Sequence, residues 1–198
     1  MKILLISDLH SSPSTLKGLD ELLAIEQFDY VLSPGDVTDR YDANALEYLD
    51  QFINLVTQKH GLKLKMVYGN NDSKEVVEHT RARGALLHFD EENIQGYRIA
   101  GIGDVESQGE IPGGTLKDLS GTIVVSHRPT PQFKALKASG ATLSNAPIIQ
   151  IFGHYHTRAE TEQVGSTLII NVPAAMDGRY AVLELPSKKV EFKWFKNS

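Results

Sequence analysis

Five short motifs in this sequence place a side chain that can bind a metal directly after an apolar, strand-like run. They are DLH (8–10), GDVTD (35–39), GNND (69–72), SH (126–127) and GHYH (153–156). In α/β proteins, sites form beyond the carboxyl ends of strands, so motifs that are distant in sequence can meet there. We therefore expect these five strand ends to form one site.

The candidate ligands are nitrogen and oxygen donors only, because the chain has no cysteine. Disulfides, thiolate ligands and cysteine nucleophiles are thereby excluded. A mixture of imidazole, carboxylate and amide groups suits Mn, Fe, Ni or Zn better than Ca or Mg. The candidates suffice for two cations if one carboxylate bridges them: Asp8, His10, Asp36, Asn70, His127, His154 and His156.

Each motif also has an ordinary structural explanation. Asp8 could cap a helix, Asn70 is typical of a turn, and His127 could be structural. A protein without a metal site, however, has no reason to place all these groups at strand ends. Their conjunction favours a metal site.

In their order, the motifs resemble the calcineurin-like metallophosphoesterases. The family pattern is D-x-H, G-D-x-x-D, G-N-H-D or G-N-H-E, a later His, and G-H-x-H, and the resemblance covers essentially the whole chain. It implies a β-sandwich flanked by helices, in a small branch without cap domains that is similar to compact bacterial and archaeal phosphodiesterases.

The resemblance also implies a role for each ligand. One cation would be held by Asp8, His10, Asp36 and His156, and the second by Asp36, Asn70, His127 and His154, with Asp36 bridging. Asp39 and Asp72 would orient ligands. We expect two divalent cations, with Mn favoured. Cations roughly 3.5 Å apart can convert a shared water to hydroxide for in-line attack on phosphorus.

Asn71 is the main departure, because family members of the G-N-H-D type have a histidine there that protonates the leaving oxygen. An amide cannot take that role, and general acid catalysis is typically worth roughly 10²–10⁴-fold. We hypothesise a preference for phosphodiesters or activated esters with acidic leaving groups. His79 is a candidate substitute, whereas His60 and His88 are predicted to be structural.

Two further residues beside the motifs could act on the substrate. Arg128 is predicted to contact a phosphate oxygen, with a surface salt bridge as the alternative. Tyr155, between two predicted ligands, could crowd or stack on a substrate.

The elements that must position these groups fit an α/β class with two sheets. Residues 1–68 alternate strand-like runs with helical patterns, which predicts parallel strands and packed helices. The second half has six strand-like runs, a helical candidate at 132–138 and a long mobile loop at 103–118. We therefore predict a two-sheet β-sandwich flanked by helices, formed by a single domain over residues 1–198.

The net charge and the apolar runs of the sequence limit the kinds of partner that the protein can bind. A formal charge of −5 without charge blocks argues against nucleic-acid binding, and no signal peptide or membrane-spanning run is present, so we expect a cytoplasmic enzyme. The predicted partner is a small phosphoester. The face of Val190, Phe192 and Trp194 is predicted to pack in the core, with a homo-oligomer contact as the alternative.

Two other functions stay open at this stage. A protein-interaction scaffold on the same fold, like the retromer subunit that has lost part of its ligand set, would show substitutions at several ligand positions. A nuclease would need a basic groove, and none is evident in the sequence.

Overall fold

The computed structural model describes residues 1–108, 118–129 and 146–196, and the strands in this part form two sheets. The strands, in chain order, are β1 (Lys2–Leu5), β2 (Tyr30–Ser33), β3 (Lys63–Met66), β4 (Asp90–Ile94), β5 (Tyr97–Ile102), β6 (Thr122–Ser126), β7 (Ile149–Phe152), β8 (Glu160–Val164), β9 (Thr167–Asn171), β10 (Arg179–Glu184) and β11 (Lys189–Trp194). The first sheet has the order β11-β10-β1-β2-β3 and the second has the order β4-β5-β6-β7-β9-β8.

Parallel pairing dominates the middle of both sheets. In the first sheet β1, β2 and β3 run parallel, while β10 and β11 pair antiparallel. In the second, β5, β6, β7 and β9 are parallel, with β4 and β8 as antiparallel edges. The predicted mixed second sheet and the two-sheet α/β architecture are thus confirmed.

The helices follow the predicted pattern in the first half of the chain. They are α1 (Pro13–Ile25), α2 (Ala45–Asn54), α3 (Lys74–Ala82) and the short α4 (Val105–Gln108), with a π-helical turn at Leu55–Lys59 and a 3-10 turn at Ala175–Asp177. Helix α1 begins after Ser12, whose side chain accepts a hydrogen bond from the Thr15 N–H, and Pro13 fits its first turn.

Alternation along each strand divides the core into two layers. In β1, Ile3 and Leu5 point into the space between the sheets, whereas Leu4 packs on the other face against α1 and α2. A period of two residues produces this division, because successive side chains leave opposite faces of a strand. The two layers hold the carboxyl ends of β1, β2, β3, β6 and β7 in place around the site.

Two strands were not predicted from the sequence. β4 (Asp90–Ile94) is acidic, and β8 (Glu160–Val164) is exposed along its whole length. Both are edge strands that gain backbone hydrogen bonds from one neighbour and bury little apolar surface, so no hydrophobic alternation marks them. Hairpin turns at Gly96 and Gly165, both with positive φ, connect them to β5 and β9.

Several smaller expectations have mixed outcomes. Val190 and Phe192 pack against the core between the sheets as predicted, but Trp194 is 63% exposed. His88 is buried as predicted, although it lies in a bend just before β4 rather than within a strand. Within the predicted loop 103–118, α4 is helical and 109–117 lies outside the described residues, as does the predicted helix 132–138. No helix in the described part is long and apolar enough to cross a bilayer.

Candidate metal centre

The structure brings all five predicted motifs together at the carboxyl ends of the parallel strands. An isolated parallel bridge between Ser7 and Ala174 joins the end of β1 to the end of β9, across the two sheets. Gly153 makes the approach close, since a Cβ there would lie 2.0 Å from Ser7 Oγ and 2.6 Å from Asp8 Oδ2. The site therefore sits where both sheets meet.

A first group of ligand atoms comes from Asp8, His10 and His156, all within 4.8 Å of one another. His10 Nε2 lies 3.2 Å from His156 Nε2, and His156 Nε2 lies 3.3 Å from Asp8 Oδ1. Asp8 is completely buried. Its Oδ1 accepts no hydrogen bond of ordinary geometry from the described residues. A buried carboxylate oxygen that faces two imidazole nitrogens in this way fits a cation ligand.

A second group comes from Asp36, His127 and His154, again within 4.8 Å of one another. The side-chain oxygen of Asn70 lies 3.1 Å from His127 Nε2 and so joins this group. Asp36 and His127 are buried, with exposed fractions of 1% and 0%. The donor set again consists of imidazole, carboxylate and amide groups, which suits a borderline divalent cation.

Asp36 links the two groups through one oxygen. Its Oδ2 lies 3.8 Å from His10 Nε2 in the first group and 3.4 Å from His127 Nε2 in the second. These distances place a single carboxylate between both sets of donors. That is the position that a bridging ligand requires.

Two histidines are oriented through their other ring nitrogen. His10 Nδ1 lies 2.8 Å from Asp39 Oδ1, and His127 Nδ1 lies 3.0 Å from the Pro34 carbonyl oxygen. Because a carbonyl can only accept, His127 Nδ1 carries a proton, and Nε2 is the nitrogen that faces the ligand group. Such partners fix the tautomer and the ring plane of a metal-binding histidine.

Asp72 connects two of the strand ends. It accepts hydrogen bonds from the N–H and hydroxyl of Thr38, after β2, and from the Gly69 N–H, after β3. Burial and the neighbouring Asp36 charge raise the pKa of Asp72 to about 6, although these donors oppose that shift. The predicted orienting role of Asp72 therefore has a geometric basis in the loops it joins.

Asn71 has a different environment from the one that the sequence suggested. Its backbone N–H donates to Asp36 Oδ1 at 2.7 Å, and its side-chain amide donates to Asp36 Oδ2 at 2.8 Å. The amide is therefore engaged with the linking carboxylate. The sequence showed only that a histidine is missing at this position, because the contact crosses 35 residues of chain.

The pKa values of the residues in the second group depend strongly on one another. Burial lowers the pKa of His127, but the Asp36 carboxylate outweighs it and raises the pKa to about 9. Burial alone would raise the pKa of Asp36, but its contacts with His127 and Asn71 lower the pKa to about 2. Burial and the charges of His127 and Arg128 lower the pKa of His154 to about 4.

In the first group, contact with the Asp8 carboxylate raises the pKa of His156, opposed by burial. Two buried carboxylates, Asp8 and Asp36, thus concentrate negative charge in the centre of the site. Positive charge from protons or cations is the physical requirement of such an arrangement.

The turns that present the ligands have an unusual backbone. Four predicted ligands have positive φ: Asp8 (54°), His10 (49°), Asp36 (51°) and His154 (68°). A residue other than glycine costs roughly 1–2 kcal/mol in this left-handed region. Such conformations cluster at functional sites, where surrounding structure holds them in place.

Arg128 and Asp104 extend the second group. An Arg128 terminal nitrogen donates to Asn70 Oδ1 at 2.8 Å, and its Nε lies 2.9 Å from Asp104 Oδ2. Arg128 was a candidate from the sequence, whereas Asp104 was not. A signal was present, because "GD" at 103–104 follows a strand in the same way as "GD" at 35–36.

The other histidines have partners of their own. His60 and His79 pair with Asp20 at 2.8 Å and Asp50 at 3.1 Å, both on helices. Buried His88 accepts a hydrogen bond from the Gly103 N–H at Nδ1. His79, a candidate substitute acid, is therefore engaged in the contact between α2 and α3.

Tyr155 is 39% exposed and lies edge-on to His154, with the rings 5.2 Å apart. Phe152 and Arg158 also lie beside this ring, with the Phe152 ring centre 6.2 Å and the Arg158 guanidinium carbon 5.0 Å from its centre. The ring is partly open to solvent and also packs against His154, a predicted ligand, so its contact with a substrate stays a prediction.

The comparison with protein families agrees with the motif order. The model of the calcineurin-like phosphoesterase superfamily domain matches residues 1–185. The chain belongs to this family. None of the curated proteins compared with the chain matches it significantly.

Several solved structures share the fold of this chain. A Thermus thermophilus protein has a TM-score of 0.69 at 13% identity, covering 98% of this chain and 99% of its own. An archaeal phosphodiesterase has a TM-score of 0.59 at 15% identity, with the same coverage. A dimetal phosphatase from Danio rerio has a TM-score of 0.62 at 12% identity and covers 99% of both chains. At these identities the likeness concerns the fold.

Proposed function

We propose that this protein is a phosphodiesterase that uses two divalent cations, with Mn favoured. The observation that carries the proposal is the position of Asp36 Oδ2, within 4 Å of an imidazole nitrogen from each ligand group. One carboxylate between two sets of donors is the arrangement that two neighbouring cations share. The buried Oδ1 of Asp8, which faces two imidazoles, supports cation binding in the first group.

The proposed ligand sets follow the two groups. Asp8, His10 and His156 with Asp36 would hold one cation, and Asn70, His127 and His154 with Asp36 the other. When bound, the cations supply Lewis acidity, an activated water and a clamp on phosphate oxygens. The ligands come from both sheets and from most of the chain, so the proposal includes a single domain over residues 1–198.

The protein's own side chains contribute orientation and charge. Asp39 and the Pro34 carbonyl hold His10 and His127 with Nε2 toward the centre. Arg128, with a terminal N–H at the edge of the second group, is placed to donate to a phosphate oxygen. Arg128 can make this contact whether or not the cations are bound.

The acidity of the leaving group determines which esters this site can cleave. The Asn71 amide hydrogen-bonds to Asp36 and has no proton to transfer. Poor, alkoxide-like leaving groups need general acid catalysis most. Diesters with acidic leaving groups therefore suit the site better than alkyl esters. A cytoplasmic location and a small phosphoester substrate belong to the same proposal.

The test is a comparison of three substrate classes with the Mn-loaded protein. We expect turnover of an aryl phosphodiester to exceed that of an aryl phosphomonoester, with cyclic nucleotides as the third class. Metal analysis on the same preparation gives the cation content. A protein that binds no metal and hydrolyses none of these esters would support the scaffold function instead.

A further inference from the structure

Asp104 is a completely buried carboxylate at the carboxyl end of β5, where it meets Arg128. We propose that Asp104 is a positioning residue, which aims the Arg128 guanidinium at a non-bridging oxygen of the bound phosphoester. This inference rests on the proposed function and adds a determinant of phosphate affinity to it.

The backbone of Asp104 is hydrogen-bonded to the segment that follows β3 and carries Asn70. Its N–H donates to the Tyr68 carbonyl oxygen at 3.0 Å, two residues before Asn70. Gly103 allows this approach, since a Cβ there would lie 2.1 Å from a Tyr68 ring carbon. Asp104 is therefore held at a set position relative to the second ligand group.

Arg128 connects this buried carboxylate to the accessible edge of the site. Its Nε lies 2.9 Å from Asp104 Oδ2, and a terminal nitrogen donates to Asn70 Oδ1 at 2.8 Å. The Arg128 side chain is 27% exposed, whereas that of Asp104 is 0% exposed. A phosphate oxygen arriving from solvent can thus reach Arg128 while Asp104 stays enclosed.

The planar guanidinium explains why the pairing matters. With Nε held from one side, the terminal N–H groups keep a fixed direction, which a flexible arginine would have to acquire on binding. A phosphate oxygen is a stronger, charged acceptor than the Asn70 amide oxygen. It can therefore replace Asn70 as the acceptor. Because Asp104 cancels the charge of Arg128, the pair supplies direction more than net attraction.

The experiment measures inorganic phosphate binding to the Mn-loaded protein by calorimetry, together with KM and kcat for an aryl phosphodiester. We expect Asp104→Asn to raise the phosphate Kd and KM about tenfold, with a smaller effect on kcat, because removing one partner of an ion pair that involves a buried carboxylate costs at least this order of affinity. Arg128→Lys, which lacks Nε, should have a similar effect. The double variant should be no worse than Arg128→Lys alone.

Matched controls separate positioning from general damage. Glu91→Gln removes the carboxylate of an exposed pair with Arg98, 2.8 Å apart, and should leave phosphate affinity within about twofold of wild type. Metal content should be unchanged in Asp104→Asn. Loss of metal there would indicate a structural role and overturn the proposal, as would an Asp104→Asn effect that persists in full when Arg128 is Lys.

The outcomes distinguish this inference from the proposed function. A wild-type protein that binds metal and phosphate but cleaves no diester would contradict the proposed function, while the phosphate Kd values still decide the role of Asp104. If Asp104→Asn does not fold, Asp104→Glu takes its place, because a longer carboxylate displaces the ion pair with Arg128 and should also raise the phosphate Kd. A phosphate Kd within about twofold of wild type in the folded variant overturns the proposal, since the lost contact is expected to cost more.

Discussion

Asn71 holds both oxygens of the Asp36 carboxylate, through its backbone N–H at 2.7 Å and its side-chain amide at 2.8 Å. Asp36 is also the residue that lies between the two ligand groups. Asn71, at the position where the family pattern has a histidine, therefore contacts the carboxylate that lies between the two ligand groups. We interpret Asn71 as a residue that orients the Asp36 carboxylate, in addition to lacking the acidic proton of a histidine at this position.

Removing the Asn71 side chain should weaken cation binding. Asn71→Ala keeps the backbone donor but loses the amide donor to Asp36 Oδ2, so we expect roughly a tenfold loss of Mn affinity, as for other groups that orient metal ligands. Isothermal calorimetry checks this. Asn44→Ala is the control, because Asn44 is exposed and its side chain makes no capping hydrogen bond. Equal Mn affinity in both variants would contradict the orienting role.

A histidine at the same position should change the leaving-group preference. In Asn71→His, an imidazole can donate a proton to the leaving oxygen, and general acid catalysis matters most for alkoxides. We expect the ratio of the alkyl to the aryl phosphodiester rate to rise, even if metal affinity falls. Both rates should be measured at saturating Mn. An unchanged ratio would refute the link between Asn71 and substrate class.

Cation stoichiometry should follow the two ligand groups. We expect two Mn per wild-type chain, and His156→Ala should lose the cation of the first group while retaining the other. Bound Mn should also raise the melting temperature, since ligand at 100 times its Kd adds about 2.7 kcal/mol. Metal analysis and thermal unfolding before and after chelation measure both. His60→Ala, which removes the histidine that follows the π-helical turn and pairs with Asp20, should keep both cations.

Asp39 should matter through the ring it orients. Asp39→Ala removes the acceptor 2.8 Å from His10 Nδ1, so we expect Mn affinity to fall roughly 10–100-fold. Asp39→Asn retains a neutral acceptor oxygen and should lose less. Calorimetric titration of both variants tests the order. If alanine and asparagine bind Mn as tightly as aspartate, the orienting role is wrong.

Gly153 should tolerate no side chain. A Cβ would lie 2.0 Å from Ser7 Oγ and 2.6 Å from Asp8 Oδ2, so Gly153→Ala must push β7 away from β1. We expect a loss of about 1–3 kcal/mol in the free energy of unfolding, together with weaker Mn binding. Gly165→Ala meets no atom within 4 Å and has only a positive φ of 58° to oppose it. It should leave Mn binding unchanged.

Much of the fold was readable because its signals are local. The continuous apolar run of β1 predicts a buried strand, and the helical spacing of Leu19, Leu22 and Leu23 predicts the buried face of α1, whatever the rest of the chain does. The edge strands β4 and β8 were not readable. They form because a neighbouring strand offers unpaired backbone groups. A polar edge strand shows no hydrophobic periodicity from which this pairing could be predicted.

The sequence by itself determined the family, the kinds of ligand and their order along the chain, because these depend on residue type and spacing. Only the tertiary structure decided which ligands face each other, that Asp36 lies between the groups, and that Asn71 and Asp104 contact Asp36 and Arg128. These contacts join residues 24 and 35 positions apart, at strand ends from two sheets. Each contact lies after two neighbouring parallel strands of one sheet, β2 with β3 and β5 with β6, so strand order and register set the distance, and no local pattern in the chain encodes it.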